Sequence, residues 1–121
     1  MLAVLFEVFP TAQGKEAYLS LAASLKEELA HFDGLISIER FQSLIDQEKL
    51  LSLSFWQDES SLTEWRNFME HRLAQQQGKN KLFSKYRIRV CSVVRDYSES
   101  ERTEAPDDSN RFLTERGATH G

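Results

Sequence analysis

The side chains best equipped for chemistry are concentrated in one stretch, Leu50 to Gly78, LLSLSFWQDESSLTEWRNFMEHRLAQQQG. It holds both tryptophans of the chain, Trp56 and Trp65, with Asn67, His71 and the arginines Arg66 and Arg72. Histidine is the side chain suited to proton transfer near neutrality, which makes His71 the candidate base; a solvated or capping histidine is the alternative. Trp65 offers a broad face to stack on a flat substrate and an N–H to donate, or it is a core aromatic that only packs. Arg72 and Asn67 could hold a developing anion, although an arginine stem lying over apolar surface with its head in water is equally simple. Outside the stretch, Tyr86 could donate a hydrogen bond to a substrate. Glu39 could serve as a base if an apolar cavity raised its pKa, or it pairs across strands with Arg87 or Arg89, as Glu7 could. A base, a stacking wall and an anion holder are what an enzyme needs to deprotonate an electron-rich molecule whose anion then passes an electron to O₂.

Helical geometry divides this set. Trp65 and His71 are six residues apart, which places them about 120° apart around a helix, while Arg72 falls within about 20° of Trp65. Asn67, His71 and Gln75 follow one another at i+4 and form a polar stripe beside the apolar one.

The elements that would position these groups read as follows. Residues 2–9, LAVLFEVF, are apolar on both faces, as in a strand covered on both sides, and Pro10 is expected to stop the ladder. From 14 to 31 the period becomes helical, with Tyr18, Leu21, Ala22, Leu25, Leu29 and Phe32 on one stripe and Gly34 suited to the turn that follows. Residues 35–44 and 49–56 alternate as two strands joined across Asp46-Gln47-Glu48, a hairpin. In the first, Ile36 and Ile38 share a face with Arg40 and Gln42. Asp58, Ser60 and Ser61 are candidate caps of a helix that carries Leu62, Trp65, Met69 and Leu73 inward and stops at Gly78. The last strand covers 85–97, with Cys91 as a small buried hydrophobe.

The order β-α-β-β-α-β predicts an α+β, ferredoxin-like fold: one antiparallel sheet with two helices on one face. Two helices cover only one side of a sheet whose strands are apolar on both, so a second copy is expected against the other side, giving a homodimer.

Bulk properties narrow the function. A length of 121 residues indicates one domain, placed at 1–97, followed by a polar, acidic tail or dimer arm at 98–121. That arm, with six acids and three arginines, carries −3 of the net charge of −4, so the body is nearly neutral and nucleic-acid binding is not expected. There is no run apolar and long enough to span a membrane, and the N-terminus lacks the features of a signal peptide. One cysteine and three scattered histidines fit a cytoplasmic protein without a structural metal site.

The run DGLISIERFQSLIDQEKLLSLSFWQDESSLTEWRNFMEHRLAQ, followed by YRIRVCSVVRDY, resembles the antibiotic biosynthesis monooxygenase family, whose members are dimeric α+β barrels. The resemblance covers residues 1–97 and implies a cavity between sheet and helices. It implies either oxygenation of an aromatic or quinol substrate by O₂ without a bound cofactor, or haem degradation. The haem-degrading branch is matched only at Trp65: its first-strand asparagine falls on Phe6 or Glu7, and its histidine falls near Gln75. Cofactor-free oxygenation is therefore the first expectation, with Trp65 and His71 catalytic and Arg72, Asn67, Tyr86, Glu39 and Phe6 binding substrate. A dimeric barrel that binds a small ligand or serves a stress response without catalysis is the second, and a haem protein the third.

Overall fold

The computed structural model describes residues 1–77 and 82–120. In chain order the elements are β1 (Leu2–Pro10), α1 (Lys15–Leu29), β2 (Leu35–Gln42), β3 (Leu50–Trp56), α2 (Glu59–Gln77), β4 (Phe83–Ser92) and α3 (Asp107–His120). The four strands form one sheet in the order β2-β3-β1-β4, each pair antiparallel, and this is the expected ferredoxin-like arrangement. No helix among the described residues is long and apolar enough to cross a membrane.

The apolar strand β1 takes a central place. Its register puts Phe6 between Ser52 of β3 and Ile88 of β4, with Arg40 of β2 beyond Ser52, so these four share the helix-facing side. Val4, Phe6 and Val8 are buried there, and Tyr18, Leu21, Ala22, Leu25 and Leu29 of α1 join Leu62, Trp65, Met69 and Leu73 of α2 in the same core. Both helices thus bury the stripes that their periodicity predicts. β1 ends at Pro10, as expected, although Pro10 itself is still paired. It pairs with Phe83 after a register shift between Phe9 and Pro10, at a point where β1 has already run past its last partner on β3.

Other boundaries also differ from the sequence pattern. β4 spans Phe83–Ser92 rather than 85–97, and Val93 adds one further bond to the Met1 carbonyl. A register shift between Leu35 and Ser37 leaves Ile36 half exposed, away from the face of Ile38 and Arg40. Cys91 is exposed rather than buried, because β4 is an edge strand and the sheet side away from the helices is uncovered. Gly78, the expected stop of α2, lies outside the described residues.

Local chemistry fixes the start of α2. The Asp58 carboxylate accepts hydrogen bonds from the Ser61 backbone N–H and hydroxyl, both at 2.9 Å, as a capping side chain does. The backbone bond from Ser61, aided by the hydroxyl, holds the Asp58 carboxyl below the usual carboxylate range. Ser61 also presses on the turn after α1: a Cβ on Gly34 would collide with the Ser61 hydroxyl, and Gly34 has a φ of 89°. Gly34 additionally accepts a hydrogen bond from the Gln57 N–H at 2.8 Å, so it ties the start of β2 to the end of β3. Gly34→Ala is expected to lose about 1–2 kcal/mol from the left-handed backbone alone, and more from the collision. Urea denaturation of the two proteins side by side checks this.

The segment after Tyr97 contains more order than its polarity implies. Arg102 lies over the Tyr97 ring, 5.0 Å from its centre. Its guanidinium donates to the Ser98 carbonyl at 3.1 Å, to Asn110 Oδ1 at 3.1 Å and to Ser109 Oγ at 2.7 Å. Polar bonds local in sequence, with Asp107 and Asp108 in the positive first turn, support α3. Apolar burial contributes little, since Phe112 and Leu113 are about half exposed.

Candidate functional site

A cavity of about 160 Å³ lies between the helix-facing side of the sheet and both helices. α1 contributes Tyr18, Ala22, Leu25, Lys26 and Leu29, and α2 contributes Trp65, Met69 and Leu73. Phe6 of β1, Ile38 and Arg40 of β2 and Ser52 of β3 complete the wall. Tyr18, Ala22, Leu25 and Leu29 follow helical spacing on α1, and Trp65, Met69 and Leu73 recur every fourth residue on α2, so each helix presents one continuous wall. A smaller pocket of about 40 Å³ shares Phe6 and Trp65 with it and is also lined by Val4, Ile88 and Val90.

Two aromatic groups brace the cavity. Trp65 stacks on Trp56 at 6.2 Å between ring centres and meets Phe32 edge-on at 5.7 Å, and Phe68 leans on both Trp65 and Phe32. Trp56 is fully buried, and its indole N–H donates to the buried Ser54 hydroxyl at 2.9 Å. On the other side, Phe6, Tyr18, Phe83 and Tyr86 meet edge to face at 5.1 to 6.2 Å. Such contacts hold ring orientations, so the wall that Trp65 and Tyr18 offer is preformed.

The polar groups of the cavity gather at its α1–β2 end. Tyr18 is 4% exposed. Burial pushes its phenol above the ordinary value of 10.0, and the charge of Arg40 offsets this only in part, so the hydroxyl stays protonated and able to donate. Arg40 is half-buried, and Lys26 stands at the exposed rim. Glu39 also borders the cavity, but alternation along β2 turns its side chain to the opposite side of the sheet from Ile38 and Arg40.

The expected site residues separate accordingly. Trp65 and Phe6 are buried and line the cavity. His71 and Asn67 lie on the exposed face of α2 and do not border it, because the helix turns them away from Trp65. Arg72 is half-buried with its guanidinium 5.8 Å from the Phe68 ring centre, a packing position beside the cavity rather than in its wall. Tyr86 is 57% exposed and lines a separate open groove of about 310 Å³ between α2 and β4. The structure thus brings Trp65 and Phe6 to Tyr18, Arg40, Ser52 and Lys26, none of which stood out as catalytic in the sequence. Two signals were present: Tyr18 is the one polar-tipped residue on the apolar stripe of α1, and Arg40 shares a strand face with Ile38.

No histidine borders the cavity among the described residues, so its donor set does not fit a histidine-ligated haem. Nor do three His, Cys, Asp or Glu residues cluster to hold a metal ion among the described residues.

Comparison with known proteins adds family and fold. The model of the family described as antibiotic biosynthesis monooxygenase matches residues 1–77. A protein of Pyricularia oryzae named jasmonate monooxygenase ABM is 41% identical over 101 residues, which cover 84% of this chain and 47% of that protein. The chain therefore spans about half the length of this relative. Among solved structures, a Deinococcus radiodurans protein titled for the same family superposes with a TM-score of 0.69 at 10% identity, covering 81% of this chain and 97% of the other. A Mycobacterium tuberculosis protein gives 0.67 at 19% identity, covering 80% and 98%. At these identities the structural likeness establishes the fold.

Proposed function

Because the chain belongs to the antibiotic biosynthesis monooxygenase family, we propose that it is a homodimeric monooxygenase that inserts oxygen from O₂ into a small aromatic or quinol-type molecule without a bound cofactor. The observation that carries this reading is the preformed cavity lined by both Trp65 and Tyr18, whose phenol stays protonated. A flat substrate would lie against Trp65, Met69 and Phe6. As the substrate ionises, Tyr18 donates to the oxygen on which negative charge grows, where a fixed donor in a water-poor site is most effective. The ionised substrate reduces O₂ by one electron, and recombination forms a carbon–oxygen bond. For a ring CH₂ taken to a carbonyl, one oxygen atom stays in the product and the other leaves as water with the two hydrogens, which balances the four electrons. His71 and Asn67, facing solvent, have no part in this arrangement.

The 41% identical relative favours a second reading of the substrate, since it is named for jasmonate rather than for an aromatic compound. Oxygen uptake with quinols, dihydroxynaphthalenes and jasmonate decides between these. Uptake with one class identifies the substrate, and none with any would leave a ligand-binding module without catalysis. With an active substrate, Trp65→Ala is expected to lower kcat/KM by about ten- to a hundredfold through the lost stacking surface, while His71→Ala leaves it within about twofold. An equal loss in both variants would sink the assignment of Trp65 as the wall and of His71 as a bystander.

A further inference from the structure

We propose that the α1–β2 end of the cavity is a carboxylate-recognition subsite, so that the molecule taken by this protein is an organic acid held by Arg40. The inference rests on the monooxygenase reading for what happens to the ligand, but not for how the ligand is held.

Among the described residues the Arg40 guanidinium has no hydrogen-bond or ion-pair partner, although the side chain is half-buried against the cavity. A guanidinium carries five N–H donors in a planar fork that matches a carboxylate, and no nitrogen of Arg40 is sealed from solvent, so the fork is open to a ligand. Its surroundings do not supply the missing anion. On the same sheet side its cross-strand neighbour is Ser52, followed by Phe6. From α1 it faces Tyr18, whose phenol feels its charge, and Lys26, a second cation. α2 contributes only Trp65, Met69 and Leu73. The nearest acid in sequence, Glu39, is turned to the other side of the sheet. The other notable basic cluster contrasts with this one: Glu7 on the outer side is paired with Arg89 at 3.1 Å and with Lys49 at 3.4 Å.

The Tyr18 hydroxyl supports the same reading. It makes no hydrogen bond among the described residues and is not sealed from solvent, and Tyr18 lines the cavity. Two cations and two hydroxyls, Tyr18 and Ser52, therefore meet at one end of a chamber whose other walls are apolar. An uncharged molecule would leave Arg40 unpaired when it displaced water. A carboxylate accepts the guanidinium fork, which leaves the Tyr18 hydroxyl for the reacting oxygen. In the cavity of about 160 Å³ the acid would sit at Arg40 and the body against Trp65 and Met69.

The test uses the full chain and a matched pair of probes, trans-cinnamic acid and methyl cinnamate, titrated at neutral pH by isothermal calorimetry. The acid is expected to bind at least tenfold more tightly than the ester. Arg40→Gln should remove that preference and leave the ester's affinity within about twofold, and Arg40→Lys should keep part of it. Melting curves confirm that the variants fold, and Lys26→Gln, at the rim, provides a variant with little risk to folding that should weaken the acid by a smaller factor. Equal affinity for acid and ester, no binding of either, or an acid preference that survives Arg40→Gln would each overturn the proposal. Binding is read without turnover, so a failed oxygenation assay with an intact acid preference would count against the monooxygenase reading alone.

Discussion

Trp56→Ala is expected to remove a large share of the stability of this protein, about 3–5 kcal/mol from the cavity and lost transfer energy of a fully buried tryptophan. Trp56 ends β3 with no exposed surface, stacks on Trp65, and donates its indole N–H to the buried Ser54 hydroxyl. Deletion therefore takes away volume, a ring contact and the partner of a sequestered hydroxyl at once. Against a usual total of about 5–15 kcal/mol for a domain, such a loss leaves the folded state marginal at body temperature. Two milder variants apportion the effect. Trp56→Phe keeps most of the volume but leaves Ser54 without its donor, and Ser54→Ala leaves the indole N–H buried and unpaired, each expected to cost about 1–3 kcal/mol. In a double-mutant cycle these two losses should fall short of adding, because both remove the same bond. Urea midpoints read the parent and the four variants, and a Trp56→Ala protein as stable as the parent would show that the Trp56–Trp65 stack does not organise the core. Trp65 rests against Trp56, so this residue, outside the cavity wall, also sets the plane on which a substrate would lie.

The element order was legible from the sequence because each element carries one dominant period. Tyr18 to Leu29 and Leu62 to Leu73 repeat at helical spacing, and Leu51, Leu53 and Phe55 alternate with serines. Trp65 was legible as a cavity-lining residue for the same reason: an aromatic on an inward stripe must face whatever the helix covers. The rest of the site was harder because it depends on pairings between elements. Tyr18 and Arg40 lie 22 positions apart and meet only when α1 crosses β2, and each alone reads as an ordinary core or surface residue. His71 was singled out by reactivity rather than direction; on α2 it faces water and does not line the cavity. Ile36 was placed by strict alternation, which the shift near Leu35 interrupts, and Cys91 was read as buried although it lies on the uncovered side of the edge strand β4. The expected pairing of a β1 acid with a β4 arginine appears as Glu7 and Arg89. Although burial alone would raise it, hydrogen bonding to Arg89 and the charge of Lys49 hold the Glu7 carboxyl below its ordinary range.

Leu53→Glu is expected to turn the proposed homodimer into a folded monomer. The sheet side away from the helices carries Leu5, Leu51, Leu53, Phe41 and Phe55, none of them in the buried core of the single chain. Leu53 sits near the middle of this surface, with Leu5 on one side and Glu39 on the other in the paired rows. A second copy of the sheet packed there would bury it, and twofold symmetry would place two such leucines in one interface. A glutamate at this position meets no cation in its row before Arg89, across Leu5, and it lies beside the like-charged Glu39. Burying an unpaired charge costs about 3 kcal/mol or more in each copy, so two copies weaken association by roughly 10⁴-fold. The same side chain in an isolated subunit would point into water, and the melting transition of the monomer should survive. Light scattering at micromolar concentration reads the mass of the parent and of Leu53→Glu, with Leu53→Met as the control that keeps the surface apolar. A monomeric parent would refute the packing of sheet on sheet, and a Leu53→Glu protein that stays dimeric would move the interface elsewhere on the molecule, with the exposed hairpin tip Leu44-Ile45 as the next surface to alter.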